Sequence, residues 1–341
     1  MEDFFVSGLS ELENQYPREM GASEARKKIL ERLERKAGVP GLLNALTERL
    51  SPSELTSLML EVYRHQAQKR TPAQVLADHE QDRFVRLSRA DVQRLLEWER
   101  VALSSLPDGF EPVELAPVCP IGTSSVIAGV DQNWSVTTSR NSEVVSDATN
   151  VLALEIASRR RQLLRDNARS SQAVHLAAHH RLLRPQLFTG PHQLAHFALF
   201  ALASGGRAGG GSSFELQTTA THLHIHLRAL RAYLGSSLVL RVVISDFSNR
   251  DRLDVLESEV LVSFRQNFEN LTCVFNPERT SGRGYYSGLA FQIYGQAGHE
   301  ELFLVDGGEV NWTQKLLGNA KERLIISGLG SERVVMLARD D

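Results

Sequence analysis

Cysteine is nearly missing: Cys119 and Cys273 are the two in 341 residues, far apart and without metal-ligand spacing. That excludes a disulfide-stapled scaffold and predicts two free thiols in a reducing compartment. Excess charge of one sign is missing as well. A formal net charge of −3 provides no chain-wide grip on nucleic acid and leaves room only for a local basic patch. No apolar run approaches the roughly 18 residues that a membrane span needs. The opening "MEDFFVSGLSELENQ" has neither the basic flank nor the apolar stretch of a secretory leader. A cytoplasmic protein with no membrane partner is the expectation. No internal repeat is apparent, and neither a P-loop nor a dinucleotide fingerprint occurs. Without a GxSxG elbow, hydrolysis through a covalent intermediate has no support.

What is present reads as an ordinary globular composition, 42% hydrophobic and 23% charged, in a chain long enough for more than one domain. Residues 1–88 read as a helical region. "SEARKKILERLERKAG" is amphipathic and closes on Gly38, and "SPSELTSLMLEVYRHQAQKR" opens with Ser51, Pro52 and Glu54, a capping-box start. The basic residues here alternate with acids, as on solvated helix faces. A further helix, "SRADVQRLLEWERVALSSL", carries the capping pattern at Ser88 and Asp91.

The texture changes after Pro107. "GFEPVELAPV" and "QNWSVTTSRNSEVV" read as strands, and "DATNVLALEIASRRRQLLRD" as a helix capped by Asp147 or Thr149. "SQAVHLAAHHRLLR" and "LAHFALFALASGG" fit strand or helix. Beyond them come a helix at "SSFELQTTATHLHIHLRALRAYLG", a buried strand at "SLVLRVVISDF" and a helix at "RLDVLESEVLVSFRQNF". The chain closes with strands at "YYSGLAFQIYG" and "EELFLVDGG", a helix at "WTQKLL", a strand at "RLIISG" and a helix from "GSERVVML". Neighbouring strands able to pair as hairpins predict an α+β domain over 89–341, with a mostly antiparallel sheet flanked by helices. The glycine-rich "SGGRAGGGSS" (204–213) reads as a mobile connection, with a ligand lid as the alternative. Histidines cluster at His175, His179 and His180, at His192 and His196, and at His222, His224 and His226. His222 and His226 would share a helix face, but no HExxH or nearby cysteine completes a zinc set, so no metal site is assigned.

One stretch is unusual. "GRGYYSGLAFQIYG" (282–295) sets Tyr285 and Tyr286 side by side between glycines, in a chain with six tyrosines. With "VDGGEVNWTQKLLG", "IISGLGSERVVML" and the proline-ended "DGFEPVELAPV" after a long helix, it resembles the catalytic core of class II aminoacyl-tRNA synthetases. The histidyl enzymes, and their paralogue that regulates histidine biosynthesis, match best. The resemblance implies a class II synthetase-like fold, a homodimer, and binding of ATP with Mg2+ and an amino acid-like ligand. It implies that Tyr285, Tyr286, Gly288 and Gln292 shape the amino-acid pocket, with Asp147 receiving the ammonium; Asp147 is equally a good N-cap. Arg333, after Glu332 and Gly330 in "GLGSER", would lie over the nucleotide phosphates, and Gly330 would let backbone approach adenine. Arg181 in "HRLLRPQ" would be the α-phosphate arginine, with Arg184 as its rival and Leu183 where the family has glutamate.

The departures point away from histidine as the ligand. Ser281 stands where the family has its catalytic arginine, although Arg279 and Arg283 flank it; Gly284 replaces an aspartate, Gln292 a glutamate, and Glu309 an arginine. No anticodon-binding module follows the third motif. Two readings result: a ligase that activates a carboxylate as an acyl-adenylate, or a catalytically inactive paralogue acting as a regulatory or binding subunit. Association with tRNA or other RNA through the N-terminal helices has less support.

Overall fold

A computed structural model describes residues 19–186, 194–248, 252–297 and 300–338. The opening segment and His192 fall outside them. The chain divides into two compact units. One runs up to Arg86 and includes 137–142 and 280–282; the other holds the remainder from Leu87 on.

The first unit is helical: α1 (Glu19–Ala37), α2 (Pro52–Gln68) and α3 (Pro72–Gln81). Gly38 follows α1 with φ +67°, a conformation that costs glycine nothing. The capping box of α2 forms as expected, Glu54 N–H donating to Ser51 Oγ at 3.3 Å and Ser51 N–H to Glu54 Oε2 at 2.7 Å.

The second unit begins with α4 (Val92–Ser104), whose cap is Asp91 rather than Ser88: Oδ1 accepts from the N–H groups of Gln93 and Arg94. Further on come α5 (Ala148–Asp166), α6 (Ser213–Leu234), α7 (Trp312–Leu317) and α8 (Ser331–Leu337). The stretch "RLDVLESEVLVSFRQNF", read as one helix, is broken into Leu253–Leu256 and Val262–Asn267 by a π-type turn.

Eight strands form one sheet: β1 (Phe110–Pro112), β4 (Val174–Leu183), β5 (His196–Arg207), β10 (Glu322–Gly330), β9 (Glu300–Val310), β8 (Leu289–Ala297), β6 (Leu240–Asp246) and β7 (Leu271–Phe275), in that spatial order. Only the two edge pairings, β1–β4 and β6–β7, are parallel. The fold is thus α+β, a mostly antiparallel sheet flanked by helices. A separate two-stranded sheet pairs β2 (Val118–Pro120) with β3 (Ser142–Val144), so little of "QNWSVTTSRNSEVV" is strand. Among the described residues no helix is long and apolar enough to cross a membrane.

Both faces of the sheet are covered, which explains why periodicity left β4 and β5 undecided. On β5, Phe200 and Leu202 face the layer holding Trp98 of α4, Leu223 of α6 and Val334 of α8. Leu199, Ala201 and Ala203 face Leu152 and Ile156 of α5 and Trp312 of α7. A strand buried on both sides is apolar at every position and shows no alternation. The glycine-rich patch is corrected here: Ser204–Arg207 belong to β5, and a Cβ on Gly205 would stand 2.2 Å from Ile156 Cγ2. That glycine gives α5 close approach to the sheet; it does not begin a free loop.

Candidate functional site

The α5 face of the sheet carries the polar constellation. Asp147 ends an extended segment and caps α5, its Oδ1 accepting from Thr149 N–H at 2.9 Å and Thr149 Oγ1 at 2.8 Å. Its Oδ2 lies 3.4 Å from Arg184 Nη2, too long for a strong bond. Arg184 also donates to Ser146 O at 3.0 Å and stacks over Phe197.

Across from this helix end stand the paired tyrosines. Their rings meet edge to face, centroids 5.0 Å apart, and Tyr285 makes the same contact with Trp312 at 5.4 Å. Burial, then the Asp147 carboxylate, holds the Tyr285 hydroxyl well above its ordinary pKa, against a hydrogen bond with Thr149. Tyr286 is raised by burial and by Asp306. Glycine makes this wall possible: at Gly308 a Cβ would fall 2.8 Å from Tyr286 Cδ1 and 2.5 Å from Leu289 O. Gly288 leaves space for a buried ion pair, Arg252 Nη1 to Glu309 Oε2 at 3.1 Å, which a Cβ there would displace.

The floor is Asp306 on β9, which accepts from Arg279 Nη2 and from Gly307 N–H, each at 3.1 Å. Burial raises the Asp306 carboxyl, while Arg279 and a hydrogen bond with Tyr286 pull it down. Arg279 itself is 4% exposed and lies between the rings of Phe247 and Tyr286. Of the two arginines flanking Ser281, Arg279 is therefore the one on the floor. Gln292 on β8 is the register partner of Asp306 and is 3% exposed.

The third-motif arginine completes the group. Arg333 donates from Nη1 to Phe303 O at 2.9 Å and stacks on the Phe303 ring. Burial, then the neighbouring charge of Arg184, lowers its pKa from the usual guanidinium value. Among the described residues it has no carboxylate partner. Gly330 closes β10 just before α8, with Arg333 Cδ 3.8 Å from where its Cβ would be.

Two of the expected residues are elsewhere. Arg181 pairs in register with Ala198 on the α4–α6–α8 face, where Nη2 meets Glu332 Oε1 at 3.1 Å and Nη1 lies 3.0 Å from His196 Nδ1. Strand alternation is the reason: Leu182 points to the α5 core, so Arg181 points away from it. Glu332 is likewise committed, its Oε2 accepting from Ala198 N–H at 2.9 Å. The structure brings Asp147, Arg184, Tyr285, Tyr286, Gly288, Gln292 and Arg333 to one face and leaves Arg181 and Glu332 on the other. Asp306 and Trp312 were not anticipated, since neither carries a local signal beyond adjoining the double glycine and a helix start.

Among the described residues no group of three or more potential ligands is placed to hold an ion. Instead the histidines build a buried hydrogen-bonded chain. His175 Nδ1 lies 2.8 Å from Ser204 Oγ, which is 2.9 Å from His222 Nε2; Ser327 Oγ then links His222 Nδ1 at 2.9 Å to His226 Nε2 at 2.8 Å.

No protein-family model matches the chain, and no curated protein matches it by sequence. Solved structures do match. An ATP phosphoribosyltransferase regulatory subunit/histidyl-tRNA synthetase from Bacillus halodurans superposes with TM-score 0.53 at 14% identity, over 73% of this chain and 80% of that one. Apo histidyl-tRNA synthetase of S. aureus gives TM-score 0.53 at 14% identity, over 74% and 69%. A histidine–tRNA ligase subunit from Alicyclobacillus acidocaldarius gives TM-score 0.54 at 12% identity, over 74% and 94%. The likeness is one of fold: this chain has a class II synthetase-like core.

Proposed function

We propose that the chain binds ATP and an amino acid-like carboxylate on the α5 face of the sheet and joins them as an acyl-adenylate. The observation that carries this reading is Arg333, a half-buried guanidinium without a carboxylate partner among the described residues, beside the second cation Arg184. Two like charges brought close together favour a polyanion, and a planar fork suits phosphate oxygens. A triphosphate fits that need. Magnesium, expected by the same resemblance, would neutralise phosphate charge.

In this reading a carboxylate oxygen attacks the α-phosphorus, the bond to the β-phosphate oxygen breaks, and pyrophosphate leaves. Charge grows on the α-phosphate, and Arg184, rather than the turned-away Arg181, is the guanidinium placed to stabilise it; Arg333 holds the terminal phosphates. The Asp147 oxygen that only weakly meets Arg184 receives the ligand's ammonium. Tyr285, Tyr286 and Gly288 shape the wall, and Gly330 lets backbone approach adenine. A homodimer and a cytoplasmic location accompany this reading by resemblance, and RNA is a lesser partner.

One observation favours the second reading, an inactive regulatory or binding paralogue. Arg181 is engaged by Glu332, and Leu183 stands where a glutamate would be, so the second motif is weakened. Calorimetry of ATP with magnesium against wild type and Arg333→Ala separates the cases, followed by pyrophosphate exchange with an amino-acid panel. Binding lost in the variant, with exchange in the wild type, supports the ligase. Binding without exchange supports the paralogue, and no binding at millimolar ATP overturns both nucleotide readings.

A further inference from the structure

We infer that the inner end of this pocket selects an uncharged polar amino acid, with an amide or hydroxyl side chain, through the Gln292 amide. The inference rests on the reading of this face as an amino-acid site.

Gln292 lies in register between Asp306 on β9 and Val243 on β6, so its side chain rises on the same face as the Asp306 carboxylate. It is 3% exposed, and its amide nitrogen has no hydrogen-bond partner among the described residues. Buried amides in folded proteins are nearly always paired, because an unmet donor has lost water and gained nothing. A ligand acceptor would supply what the fold withholds.

The charges beside it decide what kind of acceptor. Asp306 is held by Arg279, Gly307 N–H and Tyr286, so its charge is already met without a ligand. Cross-strand neighbours stand about 4.5–5.5 Å apart at Cβ. A carboxylate reaching Gln292 would therefore meet the half-buried Asp306 carboxylate, and an ammonium, guanidinium or protonated imidazole would meet Arg279. An aliphatic end would leave the amide nitrogen unmet. A carbonyl or hydroxyl oxygen satisfies it and brings no charge.

The test uses the full chain and calorimetry with L-asparagine, L-glutamine, L-serine and L-threonine against L-aspartate, L-glutamate, L-lysine, L-arginine, L-leucine and L-histidine, each with and without ATP. The tightest ligand is expected among the first four, and Gln292→Met should weaken it at least tenfold more than it weakens ATP. Circular dichroism and melting of the variant without ligand control for folding; removing an unmet buried amide should leave the melting temperature equal or higher. A charged, aliphatic or histidine ligand as the tightest, an unaffected Gln292→Met, or no amino acid bound would each overturn the inference. ATP binding without amino-acid binding would sink the selectivity alone. Uncharged polar binding without ATP binding would sink adenylation and leave the selectivity standing.

Discussion

The buried histidine chain should make the fold sensitive to mild acid, by an amount that can be worked out. His222 and His226 are fully buried between α6 and β10. Burial lowers both: His222 well below the ordinary histidine value, with His226 and His175 adding to the effect, and His226 to about 3. The surroundings explain it, since each ring meets a serine hydroxyl and the ring of Phe110 or Phe200, and His226 Nδ1 has no partner among the described residues. Folded, both rings stay neutral; unfolded, both take up a proton near pH 6.5. Stability is therefore fully present above pH 6.5 and falls as pH drops toward the depressed folded values. At pH 5 the neutral His226 ring costs about 2 kcal/mol, from roughly 1.5 pH steps at 1.36 kcal/mol each, and His222 adds to the loss in the same direction. That is a large part of a typical margin of about 5–15 kcal/mol. Asp306 and Glu99, whose carboxyls burial raises, work in the opposite sense and soften the fall. Urea unfolding followed by far-UV circular dichroism at pH 7.5, 6.0 and 5.0 measures the slope. His226→Gln keeps a group that can bond Ser327 but cannot titrate, so its slope should be shallower by about one proton, near 1.4 kcal/mol per pH unit. Equal slopes for wild type and variant, or greater stability at pH 5 than at pH 7.5, would refute the reasoning.

Other consequences can be checked in the same way. Arg160 and Glu322 form a fully buried ion pair between α5 and β10, with Nε to Oε2 at 2.8 Å. Glu322→Ala should lose about 3–5 kcal/mol in urea unfolding, because the Arg160 charge is left buried, and adding Arg160→Met should recover part of it. Gly308→Ala would put a methyl 2.8 Å from the Tyr286 ring. It should cost about 1–3 kcal/mol and weaken amino-acid binding together with stability; a variant with unchanged melting temperature and affinity would show that the ring does not rest on that strand.

How far the sequence reached differs from element to element. The helix starts were legible because caps are local: Ser51 with Glu54, and Asp147 before α5, are satisfied within three residues. The hairpin of β8 and β9 and the closing β10–α8 pair were legible from period and punctuation. The five-residue β7 escaped notice, because "LTCVF" is short and its strand character comes from parallel pairing with β6, far away in sequence. Ser88 was a less faithful guide than Asp91 because both fit a cap by spacing, and only the backbone bend selects one.

By itself, then, the sequence determined the α+β class, the position of the tyrosine wall and the class II likeness, since these depend on local pattern and on the order of motifs. Tertiary structure alone decided which arginine shares a face with Asp147 and the tyrosines. Arg181 and Arg184 are three residues apart at the end of one strand and equivalent as spacing. A strand sends successive side chains to opposite faces, so the pleat turns Arg181 to Glu332, while Arg184, beyond the strand's end, reaches Asp147. The same holds for Gln292, whose unmet amide becomes visible only when register places it beside Asp306 and packing removes water from it. Which face a side chain takes, and what surrounds it there, is set by pairing between distant segments, and no local pattern records it.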